Sequence, residues 1–205
     1  MKKIILILIS IMLSCSLYAA IEFSGGESRL SLREGREEVV LSGGAWIEVD
    51  SIRIEADEIR LTGTSYRYVQ CNGNTSIVDK ERGISISTGS IWFDREEERL
   101  VISSWFEVED TENEISATGF MIEYRMAEER LEMGKQVKLL RNTDDGLMRC
   151  QAESVVYSRS SATVALKGNA SVYWNGDRYQ AEAISVNLDD NSIRLEGRIK
   201  GSING

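Results

Sequence analysis

The sequence contains no histidine and no proline. Without histidine the chain lacks the commonest general base and metal ligand at neutral pH. No nucleophile elbow or phosphate-cradling glycine loop stands in for it: Gly25-Gly26 and Gly43-Gly44 read as turns. Asp144-Asp145-Gly146 lacks the further regularly spaced oxygens of a calcium loop. The acidic runs Glu96-Glu97-Glu98 and Asp189-Asp190 sit in polar hairpin tips, so no enzyme, metal or cofactor is expected. Without proline, the edges of any sheet must be protected by charge and by bulges. Positive charge is also scarce, with 24 Lys and Arg against 33 Asp and Glu and a net charge of −9. An acidic chain with no basic patch interleaved with aromatics repels phosphate backbones, which excludes nucleic acid as the expected partner.

Long apolar runs are confined to the N-terminus. Lys2 and Lys3 precede an apolar run at residues 4–13, and Ala19 and Ala20 follow it. This pattern predicts an export signal over residues 1–20 and a single domain over residues 21–205, placing the protein in the periplasm. A helix that crosses a membrane needs roughly twenty apolar residues, more than this run supplies. Cys15, after Met12-Leu13-Ser14, sits in a loose lipoprotein cleavage pattern, and lipidation there would tether the chain to a membrane surface. Beyond the signal only Cys71 and Cys150 remain, in different units of the pattern described next. They read as two separate thiols acting as small hydrophobes, in preference to a disulfide.

What is present is a pattern that returns about every thirty residues. A small residue opens an apolar strand, and a second apolar strand follows. The openings fall at Ala56, Ser87, Ala117, Ala152 and Ala181, at intervals of 31, 30, 35 and 29 residues. In the clearest copy, residues 179–186 lead through Asp189-Asp190-Asn191-Ser192 into residues 193–199. Alternation with period two dominates: Val164, Leu166, Gly168, Ala170 and Val172 share a face, as do Ile193, Leu195, Gly197 and Ile199. The phase slips by three between Ala56 and Ile59, Ala152 and Val155, and Ala181 and Ile184, which demands a bulge or corner in each strand. The expected fold is all-β, an elongated antiparallel jellyroll or roll of about 12 or more strands built from units of roughly 30 residues. Units stacked along an axis leave edge strands at both ends.

Residues 181–199, with Ala56-Asp57-Glu58-Ile59-Arg60-Leu61 and residues 166–172, resemble the OstA-like repeat of the LptA family of periplasmic lipopolysaccharide-transport proteins. The resemblance covers approximately residues 25–200, with Met133 and Ser103 departing where better copies have Gly197 or Gly168. It implies a β-jellyroll with a greasy interior that stacks head to tail. It also implies a partnership with jellyroll domains of inner- and outer-membrane transport components, and carriage of lipopolysaccharide or a similar lipid between the membranes. Inward positions expected to line an apolar trough are Ile52, Ile54, Ile59, Phe93, Trp105, Phe120, Ile122, Tyr124, Ile184 and Val186. Rim cations expected to meet lipid phosphates are Arg53, Lys138, Arg141 and Lys200. Each buried methylene is worth about 0.8 kcal/mol, so acyl chains can be held without polar chemistry. A fully packed β-sandwich core produces the same alternation. Two alternatives therefore stand beside the bridge protein: an LptC-like membrane-anchored jellyroll of the same pathway, and a structural or adhesive surface repeat protein.

Overall fold

A computed structural model of the chain describes residues 20–33 and 36–204. The expected export signal, Cys15 included, lies outside the described residues except for Ala20. The described chain runs from β1 (Glu22–Ser24) and β2 (Glu27–Arg33) into β3 (Arg36–Val49), β4 (Ile52–Thr62), β5 (Tyr68–Asp79) and β6 (Ile84–Asp94). Four shorter strands follow: β7 (Arg99–Ile102), β8 (Phe106–Asp110), β9 (Ile115–Gly119) and β10 (Met121–Arg125). Then come β11 (Arg130–Thr143), β12 (Gly146–Ser158), β13 (Thr163–Trp174), β14 (Asp177–Asn187), β15 (Ile193–Glu196) and β16 (Lys200–Ser202). Antiparallel pairing joins them into a single sheet of 16 strands, so the fold is the expected all-β antiparallel roll.

The strand count is higher than a dozen because the pairs β1/β2, β7/β8, β9/β10 and β15/β16 are each one pass of the chain broken at a common level. The remaining passes bend at that same level without breaking. On one kind of pass two consecutive residues take positive φ, as at Gly43-Gly44, Gly73-Asn74, Lys135-Gln136, Gly168-Asn169 and Gly197-Arg198. These oppose single residues on their neighbours, Asp57, Glu153 and Glu182 among them. Two residues against one is a bulge, and a ladder of bulges in register turns the whole sheet through a corner. Inward side chains step by three across the corner on the single-residue passes (Ala56 to Ile59, Ala152 to Val155) and by four on the others (Leu41 to Ala45, Leu166 to Ala170). The apolar face therefore stays inside on both halves, and all of it joins one core.

The row of residues just inside the corner is Ala45, Ala56, Thr75, Thr88, Phe106, Gly119, Val137, Ala152, Ala170 and Ala181. Two openings read from the sequence are displaced from it. Ser87 faces outward and Thr88 holds the corner position; Ala117 is buried, two residues short of Gly119. Ser and Ala are small wherever they fall, so size alone did not fix the phase.

Candidate functional site

The hairpin tips form two rows that meet along a seam opposite the corner. In the first row backbone bonds run from Lys80 N–H to the Ser51 carbonyl, Thr111 to Gly83 and Asn142 to Glu114. In the second they run from Arg95 N–H to the Arg67 carbonyl, Met126 to Glu98, Arg159 to Glu129 and Leu188 to Ala162. Asp79, Asp94 and Asp110 end strands at these tips with almost no exposed surface. The Oδ1 of Asp94 accepts the N–H groups of Glu96 and Glu97, and that of Asp110 accepts those of Glu112 and Asn113. Such side-chain turns are a reason for an aspartate at the end of an apolar strand.

Arg159 crosses the seam. Its Nε donates to Asp110 Oδ2 at 2.7 Å, and its Nη2 donates to the Arg82 carbonyl at 2.8 Å and to Glu112 at 2.7 Å. The Tyr157 hydroxyl donates to the same Asp110 oxygen at 2.7 Å. Burial alone would push the Asp110 carboxyl up; Arg159, Tyr157 and Asn113 together outweigh it and hold the group below the usual carboxylate range. Further along, Arg141 donates to the Leu188 carbonyl at 2.6 Å and to Asn191 at 2.7 Å.

All of these ties lie beyond Arg82. On the near side the seam holds a slot of about 460 Å³. Val49, Ile52, Phe93 and Met126 supply its apolar surface, and Asp50, Glu81, Arg82, Arg95 and Glu98 its charges. A second opening of about 360 Å³, lined by Ile21, Phe23, Leu30, Val39, Leu61 and Tyr66, forms a greasy mouth at the β1/β2 end, and Arg95 borders both.

Of the sequence-derived interior residues, Ile54, Ile59, Phe93, Ile122, Tyr124, Ile184 and Val186 are buried in the core, and Ile52 is half-buried on the lip of the slot. Trp105 and Phe120 are not interior. Each is 44% exposed, and their rings meet edge to face at 5.1 Å on the outside of the corner. Phe120 is in phase with Ile122 and Tyr124 and would face inward on a straight strand. It is the single residue between β9 and β10, where the phase reverses, and Trp105 falls in the matching break between β7 and β8. The middle of the interior is packed by its own side chains rather than hollow: Ile59, Leu100, Ile102, Ile122 and Leu166 have no exposed surface.

The expected rim cations do not converge. Arg53 is bonded to Glu55 and Glu48 and lies 4.3 Å from the Trp46 ring centre, while Arg141 ties the seam. Lys138 and Lys200 are exposed on β11 and β16. Cys71 and Cys150 are free and buried. Among the described residues no cluster of His, Cys, Asp or Glu is arranged to hold a metal ion, and no helix is long and apolar enough to cross a membrane.

Sequence reasoning missed the seam. Its only local signal is the aspartate that ends an apolar strand at residues 79, 94 and 110.

No family model and no curated protein matches the chain. Among solved structures it is similar to LptH of Pseudomonas aeruginosa, described as the LptA-homologous periplasmic component of the lipopolysaccharide transport device. The identity is 11% over 91% of this chain and 96% of that one, with a TM-score of 0.30. A likeness this loose has no bearing on what the chain does.

Proposed function

We propose that the chain is an exported, non-enzymatic lipid-binding bridge protein that carries lipopolysaccharide or a similar lipid between the inner and outer membranes. In this reading residues 1–20 are the export signal and residues 21–205 one jellyroll domain in the periplasm. The observation that carries it is an apolar interior running the length of the roll and reaching the surface at the seam and at the β1/β2 mouth. At the far end Ile199 and Ile203 are exposed beside β16. Exposed apolar residues beside edge strands suit head-to-tail pairing with another copy, or with jellyroll domains of membrane components.

A photoreactive phenylalanine analogue placed at Ile52 in cells should yield lipid adducts. The same group at Phe120, outside the corner, should yield none. Absence of lipid adducts at Ile52 would overturn the reading.

The packed middle of the interior favours a second reading, a structural surface repeat protein. That protein would give no adduct at either position and no lipid on extraction.

A further inference from the structure

The outside of the corner repeats one arrangement. Asp57, Glu153 and Glu182 stand where a single residue rounds the corner, and each accepts from the pass beside it: from Asn74 at 3.1 Å, from Asn169 at 2.6 Å and from Arg198. Each acid also lies over a glycine, Gly73, Gly168 or Gly197. Two further passes of this kind, β6 and β9/β10, carry Gly89 and Phe120 at that position instead. A methyl group on Gly89 would meet nothing within 4 Å, so the missing acid leaves a notch. Phe120 meets Trp105 of the neighbouring pass, and Trp105, Phe120 and Met121 are 44%, 44% and 45% exposed.

Single exposed apolar side chains are ordinary, but three side by side at the one break in a repeated polar motif are not. The outward positions flanking them, Ser87, Ser90, Ser103 and Thr118, are uncharged, although 28% of the chain is charged. Bare Trp, Phe and Met in a charge-depleted surround are the composition of the centre of a protein interface. Charge returns at its two ends. Asp57 is exposed at one; Lys135 and Lys138 are exposed at the other and make no ion pair among the described residues.

Along the corner, one residue per pass, the row reads Asp57, Asn74, Gly89, Trp105, Phe120, Lys135. Turned end for end against itself, it sets Trp on Gly89, Phe120 on the Gly73-Asn74 step and Lys135 on Asp57. In the outward row beside it Lys138 then falls against Glu55. The parallel arrangement would set Trp on Trp and Lys on Lys. We propose that two copies of the chain dock back to back, corner against corner and antiparallel, with Trp105 in the notch at the partner's Gly89 and Lys135 against the partner's Asp57. Such a contact is isologous and closes on itself, leaving the edge strands at both ends free. Six passes span roughly 24 Å, and a strip that long and about four residues wide covers roughly 300–400 Å² per copy, the size of a weak, reversible contact. The contact is independent of whether the interior holds lipid.

The test is sedimentation equilibrium of the purified chain without residues 1–20, from about 10 to 500 μM, with circular dichroism as the control for folding. The wild type should show a monomer–dimer equilibrium within this range. Phe120→Glu restores the residue type that other passes carry, so it should fold normally and weaken the dimer at least about tenfold. Ile203→Asp, at the far end, should leave the dimer as it was. Lys135→Glu and Asp57→Lys should each weaken it about three- to tenfold, because each sets like charges together twice. Mixing those two variants should restore dimers of wild-type affinity, since every corner contact in the mixed pair is again between opposite charges. A mixture that stays monomeric would overturn the antiparallel docking, and a wild type monomeric at 500 μM would overturn the contact altogether. Association that Ile203→Asp abolishes and Phe120→Glu spares would mean stacking by the ends, and the corner contact falls. A monomer that binds phosphatidylethanolamine vesicles through Phe120 would give the patch to a membrane surface and overturn the dimer.

Discussion

Arg159 and Asp110 face each other across the seam, Nε to Oδ2 at 2.7 Å, with 6% and 0% of their side chains exposed. This is the tie that most completely withdraws charge from water, and its two members come from opposite tip rows. Removing one partner of a buried pair leaves the other charge stranded. Arg159→Ala should therefore cost about 3–5 kcal/mol in urea unfolding, several times the effect of breaking the exposed Arg194–Glu196 pair. Replacing both with apolar residues, Arg159→Met with Asp110→Leu, should recover much of the loss. A double variant as unstable as the sum of the single ones would show that the pair is not coupled.

Acid should act on the same tie. At Asp94 burial would push the carboxyl up, but Arg67 and the N–H groups of Glu97 and Glu96 hold it down, as Arg159 does for Asp110. Both groups bind a proton less readily folded than unfolded. Their contribution is complete above the unfolded carboxylate value of about 4 and disappears as the pH falls through the lower folded values. With no histidine in the chain, stability should be nearly flat from about pH 5.5 to 8. Asp94→Asn and Asp110→Asn should each flatten the acid limb of a plot of urea midpoint against pH. A wild-type midpoint that instead rises on acidification would mean that folding raises these carboxyls rather than lowering them.

The passes and corners were legible in the sequence because their signals are local. Period-two alternation marks each strand, and the three-residue step from Ala152 to Val155 marks a bend wherever it occurs. The seam was not legible, since Arg159 and Asp110 are 49 residues apart and meet only because stacking sets the tips at matching heights. Trp105 and Phe120 were misplaced for a third reason. A corner reverses which parity faces inward, and an aromatic at the reversal carries no mark of which half it follows.

The corner itself depends on backbone conformation. Gly168 has φ +76°, and a Cβ there would fall 2.7 Å from Glu153 Oε2, the side chain whose other oxygen accepts from Asn169 at 2.6 Å. Gly168→Ala should cost about 1–2 kcal/mol for the left-handed backbone. Gly89→Ala, where nothing lies within 4 Å of the new methyl group, should stay within about 0.5 kcal/mol. Equal effects of the two in chemical denaturation would remove the corner as the source of the difference.

Burial pushes the Cys71 and Cys150 thiols up to about 12, against slight opposition from Arg141 at Cys150. Almost none of either is thiolate at pH 8, and both are shielded, so a thiol-exchange reagent should react at least about a hundredfold more slowly with the native chain than in urea. Fast native labelling at either position would mean that the roll opens far more often than its packing implies.

The break in the middle unit is held by a size exchange. Elsewhere the corner row is built of Ala, Thr and Val, but at this level Phe106 stands opposite Gly119, and a Cβ on that glycine would fall 3.0 Å from two atoms of the phenyl ring. Phe106 occupies the room that Gly119 vacates, so the two positions are read as one. Gly119→Ala alone should overpack the corner and cost about 1–3 kcal/mol. Phe106→Leu alone should lose buried area and cost a similar amount. Together they should cost less than the sum of the single changes by at least about 0.5 kcal/mol, because the shorter side chain gives way to the new methyl group. The Gly134 carbonyl, 3.2 Å from the same Cβ position, does not move with Phe106 and keeps the rescue incomplete. Strictly additive costs in a double-mutant cycle would show that the ring and the glycine are independent, and that the backbone alone makes the break.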